Sequence, residues 1–392
     1  MGLPKHLTDA EIEEFGKELD DIRNEVMNSR GEQDREYIVK LIRTQRSMAL
    51  GGRLVMLASI FLWPGLGLPS ASWALFLGVM VLGCSLLGVA KIIENMEIGH
   101  NVMHAQWDWM RDPNIQSNTW EWDTVCPSDQ WKHSHNVVHH TWTNVIGKDP
   151  DVGYGVLRVT PEQKWGWQYL GQPLNNFLLM VLFEWGVALH DLEPEKLMSG
   201  EKTFQSVIPM LRRVAWKASR QVLKDYILWP LLGTLAALPV ILDHGLEPVK
   251  SVVIAFSLLL AGSMLANLIR NVWSNMIIFC GHFPAGVHHF TQEEVEGETR
   301  ARWYVRQLMG SCNIGGGKLF HILSGNLSHQ IEHHIFPDMP SNRYPEVAPR
   351  VRALAARYKL PYNTGSLTRQ FGTTTWTIWR LTFPGGTSTA KA

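Results

Sequence analysis

The run His329-Gln330-Ile331-Glu332-His333-His334, followed by Ile335-Phe336-Pro337, decides how this chain is read. Histidines at i, i+4 and i+5 fall on one side of a helix, because positions four apart sit one above the other. The same pattern stands at His135-Asn136-Val137-Val138-His139-His140, and a shorter one at His100-Asn101-Val102-Met103-His104. These eight residues are half of the sixteen histidines. Neutral imidazole is a common transition-metal ligand. The expectation is a histidine-only metal centre assembled from three distant segments.

Composition narrows the setting. The 392 residues carry no formal net charge, which gives no basic face for nucleic acid. Mean hydropathy is close to zero, but it averages very apolar stretches with very polar ones, so local windows decide. Cys84, Cys126, Cys280 and Cys312 form no CxxC pair, which argues against a disulfide framework and a zinc ribbon. Cys84, inside an apolar run, reads as a buried inert thiol. The charged start has no apolar core of the signal-peptide kind.

Taken in order, residues 8–30 read as an amphipathic helix. Thr8 and Glu11 form its capping box, and Ile12, Phe15, Leu19, Ile22 and Val26 its stripe. A short helix near 36–46 follows. Residues 48–66 and 70–90 are each long and apolar enough to cross a hydrocarbon layer, which needs about 20 residues. Arg53 lies near one end of the first, in reach of the membrane surface by snorkelling. A second apolar pair spans 226–242 and 251–269. Arg43 and Arg46 precede the first pair; Arg212, Arg213, Lys217, Arg220 and Lys224 precede the second. Positive charge marks the cytoplasmic side, so both hairpins enter from the cytoplasm and return to it. The segment 171–190, with Asn175, Asn176 and Glu184, reads as an interfacial or cap helix. Another helix is expected near 345–358, and a disordered tail from Gly385.

The expected fold is therefore all-α, with four transmembrane helices in two hairpins and a cytoplasmic helical cap that holds the metal site. Its parts are 1–47 (N-terminal helices), 48–93 (first hairpin), 94–225 (cap with the first two clusters), 226–279 (second hairpin) and 280–392 (cap with the third cluster and C-terminal helix). All three clusters then share one side of the bilayer. A single odd span would separate them.

The candidate ligands are His100, His104, His135, His139, His140, His329, His333 and His334. His282 joins them because the fourth span should end there, with Asn275 two turns earlier. Gln330 is an alternative head of the third cluster, at i, i+3 and i+4; the pattern of the second cluster favours His329. His133, His288, His289 and His321 are weaker candidates, and His6, His190 and His244 read as structural or exposed. Structural zinc sites need four ligands and usually cysteine. Soluble di-iron bundles use carboxylates with two Glu-x-x-His motifs, and only Glu97-x-x-His100 occurs here. A pair of iron ions held by imidazoles at a membrane face fits better, although ligand type alone does not exclude zinc.

These residues resemble a known family, the integral-membrane fatty acid desaturases, over about 50–370, and within it the bacterial acyl-CoA desaturases of the mycobacterial and pseudomonad kind. The likeness lies in Gly99-His100-Asn101-Val102-Met103-His104, Trp107-Asp108-Trp109, Ser134-His135-Asn136-x-x-His139-His140, Trp303-Tyr304-x-Arg306-Gln307-Leu308 and Gly325-Asn326-Leu327-Ser328 leading into the third cluster. The resemblance implies two Fe ions that, with dioxygen and two electrons, convert two neighbouring methylenes of a long-chain acyl group to a cis double bond and water. It implies His100, His104, His135, His139, His140, His333 and His334 as ligands, His282 as an extra one, and either His329 or Gln330 at the head of the third box. No catalytic residue beyond the metal ligands is implied.

The nearest string to a cytochrome b5 haem loop is Phe383-Pro384-Gly385-Gly386, which lacks the histidine, and no Rossmann glycine fingerprint is present. Electrons are then expected from a separate ferredoxin or reductase. The expected substrate is a long-chain acyl group on CoA or on a membrane lipid, with position 9 expected for the new bond. The Trp-rich stretch 107–142 reads first as tryptophan at a membrane interface, with lining of the acyl channel, together with the hairpin interiors, as the alternative. A bacterial inner membrane with a cytoplasmic active site is the expected location. Two rivals stand beside this reading. A membrane di-iron alkane or fatty acyl hydroxylase would share the ligands, and a metal transporter would need polar groups at mid-membrane depth, which the four spans lack.

Overall fold

The computed structural model describes residues 4, 6–66, 68, 71–193, 196–197, 200–244 and 247–385. The expected disorder beyond Gly385 and part of the first hairpin tip lie outside them. The fold is mostly helical. Among the described residues the one ladder is the short parallel pair β1 (Asn313–Gly315) and β2 (Thr364–Ser366).

Helix α1 (Asp9–Asn28) has the expected capping box at Thr8 and Glu11. Its stripe of Ile12, Phe15, Leu19 and Val26 is buried in one core with α9 (Arg300–Met309) and α12 (Tyr344–Arg357). Gly16 makes this docking possible, since a Cβ there would lie 2.6 Å from that of Ala301. Surface ion pairs such as Asp20–Arg300 and Glu25–Arg350 decorate the seam. Exposed pairs contribute at most about 1 kcal/mol each; a fully buried Phe or Leu contributes about 1.5–3 kcal/mol. The apolar stripe therefore holds α1 in place.

The expected short helix at 36–46 and the span at 48–66 are one continuous helix, α2 (Glu32–Ile60). It packs along α3 (Trp73–Met103), with Gly52 and Gly83 at the crossing, where a Cβ on either would meet the facing backbone within 3 Å. Three helices are long and apolar enough to cross a membrane among the described residues: α3, α7 (Phe204–His244) and α8 (Pro248–His282). Both α7 and α8 begin or end well beyond the expected 226–242 and 251–269. At 1.5 Å per residue α8 is about 50 Å long, against a hydrocarbon core of about 30 Å. The excess carries its C-terminal turns to His282, as the excess of α3 carries His100. The stretch 171–190 is two helices, α5 (Gln172–Val181) and α6 (Phe183–His190), broken at Leu182.

Arg53 does not extend outward to the surface. Its guanidinium lies over the Trp229 ring, 4.4 Å from the centroid, and 3.6 Å from Asp225. All four cysteines are free and buried, as expected for Cys84. The C-terminal helix expected near 345–358 is α12. The sequence reading did not anticipate α13 (Leu367–Arg380), which lies against α5 and α8 through Gln172 and Ile378.

Candidate metal centre

Two of the three histidine segments depart from ordinary α geometry. In an α-helix, residue i+5 points about 140° away from residue i. The second cluster lies in a helix, α4 (128–142), whose middle, Lys132–His139, widens into a π-turn in which His140 N–H donates to His135 O. An i to i+5 hydrogen bond brings those two positions together, so the rings of His135, His139 and His140 share one face at centroid distances of 4.9–5.6 Å. In α3 a π-turn at Ile93–Gly99 precedes His100, whose N–H bonds Asn95 O. It sets His100 and His104 4.7 Å apart on the cap side.

The third cluster sits on α11 (Gln330–Ile335). The loop before it crosses α3 at Gly325, where φ is +72° and a Cβ would lie 2.4 Å from Met96 O. Only glycine fits that crossing. Asn313, at the start of β1, accepts the Ile331 N–H and donates to Glu332, which fixes the start of α11.

These elements bring eight imidazoles together. His104 lies 4.7 Å from both His140 and His333, and His140 stacks on His334 at 4.4 Å. His282, at the end of α8, is 4.8 Å from both His139 and His334. Ligand atoms converge in the groups His100–His104–His135–His333, His139–His282–His334 and His140–His333–His334, each within 4.8 Å.

His329 is not among them, and the expectation that it heads the third cluster is corrected. The helix starts one residue later; His329 has φ −102° and ψ 53°, so helical spacing does not apply to it. Its ring stacks on His321 instead, at 4.6 Å. Gln330 takes the inward position, with its amide 3.0 Å from His282 Nε2. His133 is exposed, and His288 and His289 lie in the loop beyond α8 beside Phe290 and Phe283. Asn275 is buried in α8, with its amide nitrogen unpartnered.

The ring nitrogens are prepared for a cation. His104 Nε2, His139 Nε2, His333 Nε2 and both nitrogens of His140 are buried without a hydrogen-bond partner. Buried polar atoms are rarely left so. Burial and the neighbouring imidazoles push His104, His140, His333 and His334 well below the usual histidine range. His135 is lowered by burial to about 4. These rings are neutral and offer lone pairs. Burial opposes charge at His139 too, but Asp149 and Asp151 outweigh it and raise that ring to about 9. A set of neutral and carboxylate-backed imidazoles with unshared nitrogens fits metal ions.

Four of the rings are also oriented from behind, as metal-ligating histidines usually are. His139 Nδ1 lies 3.0 Å from Asp149, whose oxygens also accept the Asn144 and Asp151 N–H groups. His100 Nδ1 faces Asn101, His333 Nδ1 faces the Tyr344 hydroxyl, and His334 Nδ1 faces Gln307 and Thr143. Arg306, ion-paired with Glu298, donates to Thr141 O and Thr143 O and ties α9 to the end of α4. These supporting residues were not singled out from the sequence. The signals for them were Asp149-Pro150-Asp151 just after the second cluster and Arg306-Gln307 within a quoted motif.

Beside the cluster a narrow cavity runs between α3, α4, α6 and α8. His100, His135, His139 and His282 form one wall; Met96, Trp122, Trp131, Phe183 and Leu327 are among the apolar lining residues, and Asp151, Glu184, Asp191 and Arg270 among the polar ones. Two tryptophans of the expected stretch line it. Trp107, fully buried, packs elsewhere against Tyr37.

Comparison with known proteins agrees with this geometry. A family model described as "Fatty acid desaturase" matches residues 71–366. The chain is 46% identical over 379 residues to the "NADPH-dependent stearoyl-CoA 9-desaturase" of Mycobacterium tuberculosis, covering 97% of this chain and 82% of that protein. It is 24% identical over 291 residues to the "sn-1 linoleoyl-lipid 6-desaturase" of Synechocystis, covering 72% and 75%. It is 25% identical over 242 residues to "Fatty acid desaturase 3" of Bos taurus, covering 60% and 46%. With buried, converging histidines and a family match across most of its length, the chain belongs to the fatty acid desaturase family.

Proposed function

We propose that this desaturase introduces a cis double bond at position 9 of a long-chain saturated acyl-CoA, using dioxygen and two electrons. The observation that carries the reading is the convergence of eight imidazoles beside a narrow, largely apolar cavity. The acyl carrier and bond position rest on the 46% identity to a stearoyl-CoA 9-desaturase. Two iron ions are assigned to the cluster. One falls to His100, His104, His135 and His333, the other to His139, His282 and His334, with His140 between them. When bound, such ions supply the oxygen-dependent oxidation of an unactivated C–H bond. The chain's own residues do the rest. Trp122, Trp131, Phe183 and Leu327 hold the apolar tail against the histidine wall, so that a chosen pair of methylenes lies next to the metals. Asp149, Asn101, Tyr344 and Gln307 hold the rings with Nδ1 engaged, leaving Nε2 for metal at His139 and His333.

The N-terminal region, α2 and the three long helices are assigned to two hairpins with four spans. The parts are 1–47, 48–93, 94–225, 226–279 and 280–392, with cap and histidines on the cytoplasmic side of a bacterial inner membrane. The positive charges before each hairpin support this orientation. Electrons are assigned to a separate NADPH-linked reductase or ferredoxin. The test is expression in a host lacking the unsaturated product, followed by location of the new bond by gas chromatography and mass spectrometry. A 9,10 double bond supports the reading. A product that has gained oxygen would favour the hydroxylase alternative and refute it.

A further inference from the structure

A second cavity, of about 120 Å³, lies on the side of the molecule between α2, α7 and α8. It is separate from the histidine wall. Its sides are Leu54 and Leu57 of α2, Leu232 and Gly233 of α7, and Leu259 and Ser263 of α8. Leu54 and Leu232 are more than half exposed, so the groove opens sideways. Gly233 keeps it open to α8, since a Cβ there would lie 2.7 Å from Leu259 Cδ1. With the share of one water at about 30 Å³, there is room for several methylenes.

One end of this apolar groove is closed by a cation. Arg53 lines it, with its guanidinium over Trp229. Of its five N–H donors, one makes a hydrogen bond, from Nη1 to Ala49 O at 3.2 Å. The nearest carboxylate, Asp225, is 3.6 Å away and already holds Lys91 at 2.7 Å. Lys224, partly exposed and ion-paired with Asp123, also lies 3.7 Å from the Asp225 carboxylate. Two carboxylates, Asp123 and Asp225, thus serve three cations, Lys91, Lys224 and Arg53, which leaves one positive charge in excess beside the groove. The apolar walls run from that end along α2, α7 and α8 away from the cap.

We infer that this groove is a binding site for an anionic phospholipid of the cap-side leaflet, with its phosphate on Arg53 and Lys224 and one acyl chain between Leu57, Leu232 and Leu259. The inference rests on the membrane orientation proposed above and not on the reaction. The polarity of the groove matches that of a lipid: charge at the headgroup level, where anionic lipids attract basic side chains, and apolar walls toward the bilayer interior. Arg53 gains the acceptor it lacks, and its stem stays in the apolar layer.

The full-length protein in nanodiscs tests this with a phosphatidylglycerol probe carrying a diazirine in its acyl chain, and with the matching phosphatidylcholine probe. Labelling of peptides containing Leu57 and Leu232 is expected to favour phosphatidylglycerol about five-fold, the ratio for one basic side chain facing a net anionic rather than a zwitterionic headgroup. Arg53→Gln should abolish the preference and Arg53→Lys keep it. Labelling at Leu77 and Val81 on α3 should show no preference in any variant. Leu232→Trp, which fills the groove from its lipid-facing rim, should lower labelling by both probes, and keeps the test decisive if Arg53→Gln fails to fold. Equal labelling by the two probes in the wild type would overturn the inference. So would displacement of the phosphatidylglycerol probe by free oleate as readily as by unlabelled phosphatidylglycerol. Loss of desaturase activity with the lipid preference intact would count against the proposed reaction alone.

Discussion

Replacing Asp149 by Asn should strip metal from the cluster without unfolding the cap. Asp149 is fully buried, and its carboxylate accepts from His139 Nδ1 and from the Asn144 and Asp151 N–H groups, all at 2.8–3.1 Å. Holding Nδ1 protonated leaves His139 Nε2 free, and that nitrogen has no protein partner. Asparagine is nearly isosteric. Its oxygen can serve the backbone donors, but its neutral amide removes the charge that stabilises this tautomer. A hydrogen bond to a charged group is worth about 1.5–3 kcal/mol. At about 1.4 kcal/mol per tenfold, that is about 10–100-fold in metal affinity, the usual range for a residue that orients a metal-binding histidine. Competition of the purified protein against a graded series of chelators, read by metal analysis, measures the change. An Asp149→Asn protein that keeps its full metal complement at wild-type chelator concentrations would refute the argument that Asp149 sets the His139 tautomer.

The other expected outcomes are as follows. His329→Ala should leave product formation within about twofold of wild type, since partly exposed sites away from networks move stability by only about 0.5 kcal/mol; Gln330→Ala should lower it at least tenfold, and the two are compared by product analysis in the same host. His139→Ala should abolish both metal binding and double-bond formation, and retained desaturation would exclude His139 as a ligand. Gly325→Ala should cost about 1–3 kcal/mol or more, because it adds a positive-φ penalty to a collision with Met96 O; thermal unfolding together with loss of bound metal would show it. Stability of the metal-free protein should fall as pH drops below 6.5. His135 has a folded value of about 4, so the unfolded chain binds a proton there that the folded chain refuses. Stability is lost across pH 6.5 to about 4, at up to about 1.4 kcal/mol per unit for such a histidine. His139 acts in the opposite direction, its contribution fading as pH rises through about 9. Denaturant titration at pH 7.5 and 5 measures the balance, and greater stability at pH 5 would contradict it.

The first two histidine clusters were legible because positions four apart share a helical face. That a π-turn delivers the i+5 ring was not legible, since hydrogen-bond register leaves no mark on residue order. The third cluster was misread by one residue for a related reason. No Ser, Thr, Asp or Asn caps α11, and the helix is started by the Asn313 side chain from far along the chain. The long helix α7 begins well before the expected 226–242 and takes in Pro209 and the basic residues Arg212, Arg213, Lys217, Arg220 and Lys224. In the fold, Val207, Val214 and Ala218 bury that part against the cap, and packing outweighs propensity. Threonine-rich α13 has weak helix propensity and is likewise held by contacts with α5 and α8. Asp149 follows the second cluster and Gln307 stands in a quoted motif, but a supporting residue has no spacing rule of its own to mark its role.

The central claim, that three distant histidine segments converge to hold a pair of iron ions, meets its most direct test in the metal content of the purified full-length protein by mass spectrometry. The account predicts two iron atoms per chain, falling to at most one when His282 and His334 are both replaced by alanine. Zinc in place of iron, or less than one metal per chain in an active wild-type preparation, would contradict it.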